Sequence, residues 1–175
     1  MRELGIPFRV VETGHDEESH PSHLTGGEIA VYLAEHKSDA YQEDLSDHQI
    51  LLTADTVVWH RGKELGKPSG YQEAVEMIST LAGNTHQVYT GVCLRSREAR
   101  TAFYSETDVT FSPLDHREIE WYVRKYSPYD KAGAYGIQEW IGFIAVEKIV
   151  GSYFNVMGLP VQRVYTELKA FIRKS

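Results

Sequence analysis

One cysteine stands in 175 residues, Cys93, and no disulfide can form within the chain. A lone thiol suits a reducing compartment. Its setting in an alternating apolar segment argues against nucleophilic thiol chemistry. No apolar run is long enough to cross a bilayer, and no signal-peptide pattern opens the chain. The expected location is therefore the cytoplasm. Basic residues are also short: 18 Lys and Arg face 25 Asp and Glu, a formal charge of −7. That balance excludes a surface built to coat a nucleic acid polymer. It leaves room for a small nucleotide, which needs only a few local cations.

Familiar site signatures are missing too. Gly62 to Lys67 has three residues between its glycines and Pro68 after its lysine, whereas a Walker loop needs four and then Ser or Thr. There is no Gly-x-Gly-x-x-Gly and no Gly-x-Ser-x-Gly elbow. His20 and His23 beside Pro21 lack the ligand spacing of a zinc site, so a solvated loop is expected there. Neither repeats nor a linker interrupt the chain, and a single domain over 1–175 is expected.

What is present is patterned for an α/β fold. Ile50-Leu51-Leu52, then Val57-Val58-Trp59, read as one buried strand with Asp55-Thr56 inside it and a turn at Arg61-Gly62. A carboxylate in such a run is costly unless paired or used. Strands are further expected at Phe8–Val11, Gln87–Arg95, Thr101–Phe111 and Phe143–Val150. Thr25 with Glu28, Ser69 with Gln72, and Asp115 with Glu118 are capping-box pairs that open three helices. The first carries Ile29, Leu33 and Ala34 on one face, with Lys37 near its end. The second buries Tyr71, Ala74, Val75, Ile78, Leu81 and Ala82 before Gly83 stops it. The third buries Ile119, Tyr122, Val123 and Tyr126. A last helix presents Val161, Val164, Tyr165, Leu168, Phe171 and Ile172. Between them, 130–138 is a glycine- and alanine-rich loop where backbone can approach a ligand, and 151–160 is a second loop.

Four segments carry a resemblance. Ala54-Asp55-Thr56-Val57-Val58 with Leu65-Gly66-Lys67-Pro68, Gly83 to Val92, Asp130-Lys131-Ala132-Gly133-Ala134-Tyr135-Gly136-Ile137-Gln138, and Gly151 to Pro160 resemble, in family order, the Maf nucleoside triphosphate pyrophosphatases. The resemblance implies a mixed, twisted sheet flanked by helices around a deep nucleotide-binding cleft, often in a homodimer. It implies hydrolysis of a nucleoside triphosphate to the monophosphate and pyrophosphate, with Mg²⁺ or Mn²⁺ as cofactor. Asp55 corresponds to the proton acceptor and Lys37 and Lys67 to substrate-binding lysines. Glu17, with Asp16 and Glu18 as close alternatives, corresponds to a functional glutamate, which with Asp55 would hold metal. Lys131 joins the cationic set. Thr56 and Gln138 look like the branch acting on dTTP and UTP, not on 7-methyl-GTP. Glu139-Trp140-Ile141 stand where that family commonly has glycine. Its Ser-x-Ser-Pro-Arg-Arg loop has no counterpart, and a gene start upstream of Met1 is expected. A nucleotide-binding regulator of septum formation without hydrolysis is the alternative.

The chemistry fits these residue types. Phosphoanhydride cleavage needs cations against the substrate charge and a positioned water. A reference aspartate, with a pKa of about 3.9, is a weak base. A nearby metal ion makes the water more acidic and relieves the mismatch.

Overall fold

In the computed structural model the described residues are 1–12 and 19–173, and the elements follow the sequence pattern closely. Helix α1 spans Gly27–Ala40, strand β1 Leu51–His60, β2 Lys63–Leu65, α2 Tyr71–Leu81, β3 Thr85–Arg95 and β4 Arg100–Phe111. Then come α3 at His116–Tyr126, α4 at Trp140–Ala145, β5 at Val146–Val150, α5 at Tyr153–Val156 and α6 at Val161–Ile172. The strands form one sheet in the order β2-β1-β3-β4-β5. Each of its pairings is antiparallel. No described helix is long and apolar enough to cross a membrane.

Alternation along the strands sorts the core into two layers. Val57 and Trp59 of β1 and Tyr89 of β3 face α1, where they meet Ile29, Ala30 and Leu33. Val58 and Val88 face the other way, into the cluster made by Ala74, Val75, Ile78 and Leu81 of α2 and Ile119, Tyr122 and Val123 of α3. Further along that face Val92, Leu94 and Phe103 meet Val164 and Phe171 of α6. The expected α6 stripe is only partly covered, because Tyr165 and Ile172 stay exposed.

β3 pairs with β1 from Leu51 to Trp59. On the other edge of β1, β2 reaches Val58, Trp59 and His60. Among the described residues, no strand pairs with that edge from Leu51 to Val57. This open edge is where the cleft forms.

Three expectations need correction. Phe8–Val11 carries no strand. Phe8 and Val10 are exposed and find no strand partner among the described residues, so β propensity has nothing to act on. Phe143–Val150 is not one strand: α4 takes up Phe143 to Ala145 and only Val146–Val150 pairs with β4. At the start of α2 the expected Ser69–Gln72 box does not form: Gly70 is the N-cap, Ser69 donates its N–H and its hydroxyl to Glu73, and Gln72 turns to Glu76.

The third helix opens on the expected box and buries Ile119, Tyr122 and Val123, but Tyr126, expected on the same stripe, is exposed. Asp115 accepts from the Glu118 N–H, and Glu118 accepts from the Asp115 N–H, each at 2.9 Å. Asp115→Ala removes one half of this box and should cost about 1 kcal/mol. Urea unfolding followed by circular dichroism checks it, and an unchanged midpoint would show the cap to be redundant.

Candidate active site

Asp55 sits on the α1 face of β1, opposite Gly91 in the β1–β3 register. With no side chain at Gly91, α1 lies directly on the sheet. The last turn of α1 then brings Lys37 Nζ to 2.9 Å from Asp55 Oδ2. The other carboxylate oxygen accepts from the Thr56 N–H at 2.8 Å. The Asp55 side chain is 13% exposed and that of Lys37 31%. The burial cost of the carboxylate is thus offset by a paired cation.

Thr56, the next residue, points to the opposite face. Its hydroxyl lies 2.9 Å from that of Thr90, which donates to the Asn155 carbonyl oxygen, also at 2.9 Å. Thr90 has one proton and spends it on Asn155, so Thr56 donates to Thr90. The free lone pairs of Thr56 therefore face outward as an acceptor.

Both residues nevertheless line one cleft, beside the β1 edge from Leu51 to Val57 that no strand among the described residues pairs with. It holds about 320 Å³ and is lined by Asp55, Thr56, Lys67, Lys131, Gln138 and Met157, among others. That is the lower end of the range for small-molecule sites. Lys67 comes from the turn after β2. The Gly133 N–H donates to the Gly66 carbonyl oxygen at 3.1 Å and fastens this turn to the 131–134 turn. Gly133 has φ 69° and packs so tightly on Val58 that an added Cβ would lie 3.0 Å from Val58 Cγ1.

The structure thus brings together five of the six candidates. Asp55, Thr56, Lys67 and Gln138 line the cleft, and Lys37 reaches it through Asp55. Glu17 lies outside the described residues. Lys131 lines the same cleft. His20, expected in a solvated loop, is instead largely buried, with Nε2 2.7 Å from a carboxylate oxygen of Glu64.

Sequence reading passed over Asn155, which is fully buried. Its amide donates to the Val88 carbonyl oxygen at 2.9 Å and to the Thr107 hydroxyl at 3.0 Å. These bonds seat the loop that carries Met157 and Gly158. The available signal was an amide inside the expected loop Gly151 to Pro160.

The chain belongs to the family of Maf-like proteins, which matches residues 1–171. It is 53% identical over 169 residues to a dTTP/UTP pyrophosphatase of Bacteroides fragilis, covering 97% of this chain and 88% of the relative. The protein of the same name from Bacteroides thetaiotaomicron is 50% identical over the same shares. That of Flavobacterium johnsoniae is 47% identical over 98% of this chain and 88% of its own length.

Proposed function

We propose that the protein hydrolyses dTTP and UTP to the nucleoside monophosphate and pyrophosphate. The observation that carries this reading is the placement of Asp55 and Thr56 on opposite faces of one cleft edge. A base lodged on the Thr56 side leaves the triphosphate to run around the edge toward Asp55 and Lys37.

On the base side, Thr56 offers an acceptor. Thymine and uracil present an N3–H flanked by two carbonyl oxygens, and cytosine has no hydrogen at N3. An acceptor at Thr56 and the amide donor of Gln138 match the first two bases. On the phosphate side, water attacks phosphorus at the α–β anhydride. The P–O bond breaks, pyrophosphate leaves, and Asp55 takes the water proton. Lys37 and Lys67 balance the substrate charge.

Among the described residues, no group of three or more His, Cys, Asp or Glu side chains converges. Magnesium is commonly held by one or two carboxylates plus substrate phosphates; Asp55 would be one, and the family resemblance offers Glu17, outside the described residues, as the other. When bound, Mg²⁺ or Mn²⁺ would acidify water and shield phosphate charge. The reading extends to a cytoplasmic homodimer acting on free nucleotides, and sedimentation analysis checks the dimer.

Selectivity is the direct test. The kcat/KM values for dTTP and UTP should exceed those for CTP and 7-methyl-GTP by at least about 10²-fold, because mismatched bases leave buried polar groups unpaired. Preference for 7-methyl-GTP would overturn the base reading. Binding of dTTP without pyrophosphate release would favour a nucleotide-binding regulator instead.

A further inference from the structure

Lys131 is the cation that this mechanism leaves unused. Its ammonium lies 2.9 Å from Asp130 Oδ1 and 3.5 Å from Glu139 Oε1. The two carboxylates are not equivalent. Asp130 is 76% exposed and lines the cleft, whereas Glu139 is 23% exposed and is not one of the lining residues. Glu139 is itself held, because its other oxygen accepts from the hydroxyl of Tyr122, a fully buried side chain. The same hydroxyl accepts from the Gly136 N–H at 3.0 Å. Lys131, Gly136 and Glu139 also interlock sterically. A Cβ on Gly136 would lie 2.9 Å from Glu139 Cδ and 3.1 Å from Lys131 Cε.

Electrostatics agrees with the geometry. Burial opposes the Lys131 charge, but the hydrogen bond to Asp130 and the field of Glu139 outweigh it, and the pKa moves up. Burial and the Glu139 hydrogen bond push the Tyr122 phenol far above its usual range, so it stays a donor. The lysine is a permanent cation on a fixed mount, with one partner that solvent already reaches.

We propose that Lys131 binds the substrate's phosphate chain, which displaces Asp130, and that Glu139, anchored by Tyr122, is the positioning residue that keeps Lys131 turned into the cleft. The proposal rests on the nucleotide reading of the cleft. It assigns a role to Glu139, which stands at the point where the sequence leaves the glycine pattern of its family. A charge-assisted contact to phosphate is among the stronger hydrogen bonds. Its loss corresponds to about a tenfold weaker complex.

The test combines Lys131→Met, Glu139→Gln and the double variant. Glutamine can still accept from Tyr122 but carries no charge for Lys131. Lys131→Met should raise KM for dTTP about tenfold, more than it lowers kcat, and should weaken inhibition by inorganic pyrophosphate to the same extent. Inhibition by thymidine, which has no phosphate, should not change. Glu139→Gln should raise KM about threefold, and the double variant should be no worse than Lys131→Met, since one residue acts through the other. Additive effects would overturn the positioning role. Parallel loss of thymidine binding would reduce Lys131 to a support of the loop. Calorimetric titration of each variant with pyrophosphate reads the contact without turnover. If the wild type hydrolyses no nucleotide, the functional reading fails on its own. Equal pyrophosphate affinity in wild type and Lys131→Met, or none in either, overturns the present proposal.

Discussion

Asp55→Asn should lower kcat for dTTP by about 10²–10⁴, the range expected for loss of a positioned general base. That is roughly 3–5 kcal/mol of transition-state stabilisation. The substitution is close to isosteric, and an amide oxygen can still accept from the Thr56 N–H that now bonds Oδ1. What goes is the acceptor for the water proton and the negative partner of Lys37, 2.9 Å away. The uncompensated Lys37 should hold the triphosphate at least as well as before, so KM should not rise. A fall in kcat at steady KM is the signature of an interaction made only in the transition state. Turnover near the wild-type rate would remove Asp55 from the chemistry. A rise in KM at constant kcat would make it a binding group.

Much of this site was legible because the chemistry lies in short local runs. Asp55 stands out as a carboxylate inside an apolar strand, whereas Thr56, Lys67 and Gln138 were singled out by the family resemblance of the short segments that hold them, and all four line the cleft. The sides of the sheet were not legible. Adjacent residues in a strand face opposite ways, yet Asp55 and Thr56 both line one cleft, and that depends on how the loops from other parts of the chain close around β1. Lys37 could be read as a favourable charge at a helix end, and its meeting with Asp55 depends on how closely α1 approaches. Glu139 and Tyr122 stand 17 residues apart and meet through a loop whose path no local pattern specifies.

Secondary structure failed in the same way. The run from Phe143 to Val150 is rich in strand formers. The chain nevertheless winds into a helix at Trp140, because Gly142 packs against the preceding turn. There a Cβ would stand 1.8 Å from the Ile137 carbonyl oxygen. Phe8–Val11 has strand composition but no neighbour among the described residues to complete its hydrogen bonds. The stripe of α2 succeeded because the spacing of Ala74, Val75, Ile78 and Leu81, all buried, is itself the cause of their packing.

Gly91→Ala should be among the most damaging single substitutions available outside the cleft. An added Cβ would lie 2.1 Å from the Ala30 carbonyl oxygen and 2.5 Å from the Val31 nitrogen. Both are backbone atoms in the N-terminal part of α1, and no side-chain rotation can relieve the clash. Either α1 lifts from the sheet or β3 bends away. Overpacking of this kind commonly costs about 1–3 kcal/mol and occasionally more, and a backbone obstruction belongs at the upper end. The damage should also reach the chemistry. Gly91 lies opposite Asp55 on β1, and α1 carries Lys37 one turn from its end, so lifting the helix lengthens the 2.9 Å ion pair. We expect a loss of about 3 kcal/mol in urea unfolding together with a lower kcat on dTTP in the fraction that remains folded. Gly27→Ala provides the comparison. Its Cβ would meet the Tyr104 ring at 2.6 Å, a side chain that can swing outward because it is already 43% exposed. It should cost less stability and leave kcat nearer the wild-type value. If the two alanine variants lose stability and activity equally, the close seating of α1 on Gly91 is not what sets the Lys37–Asp55 distance.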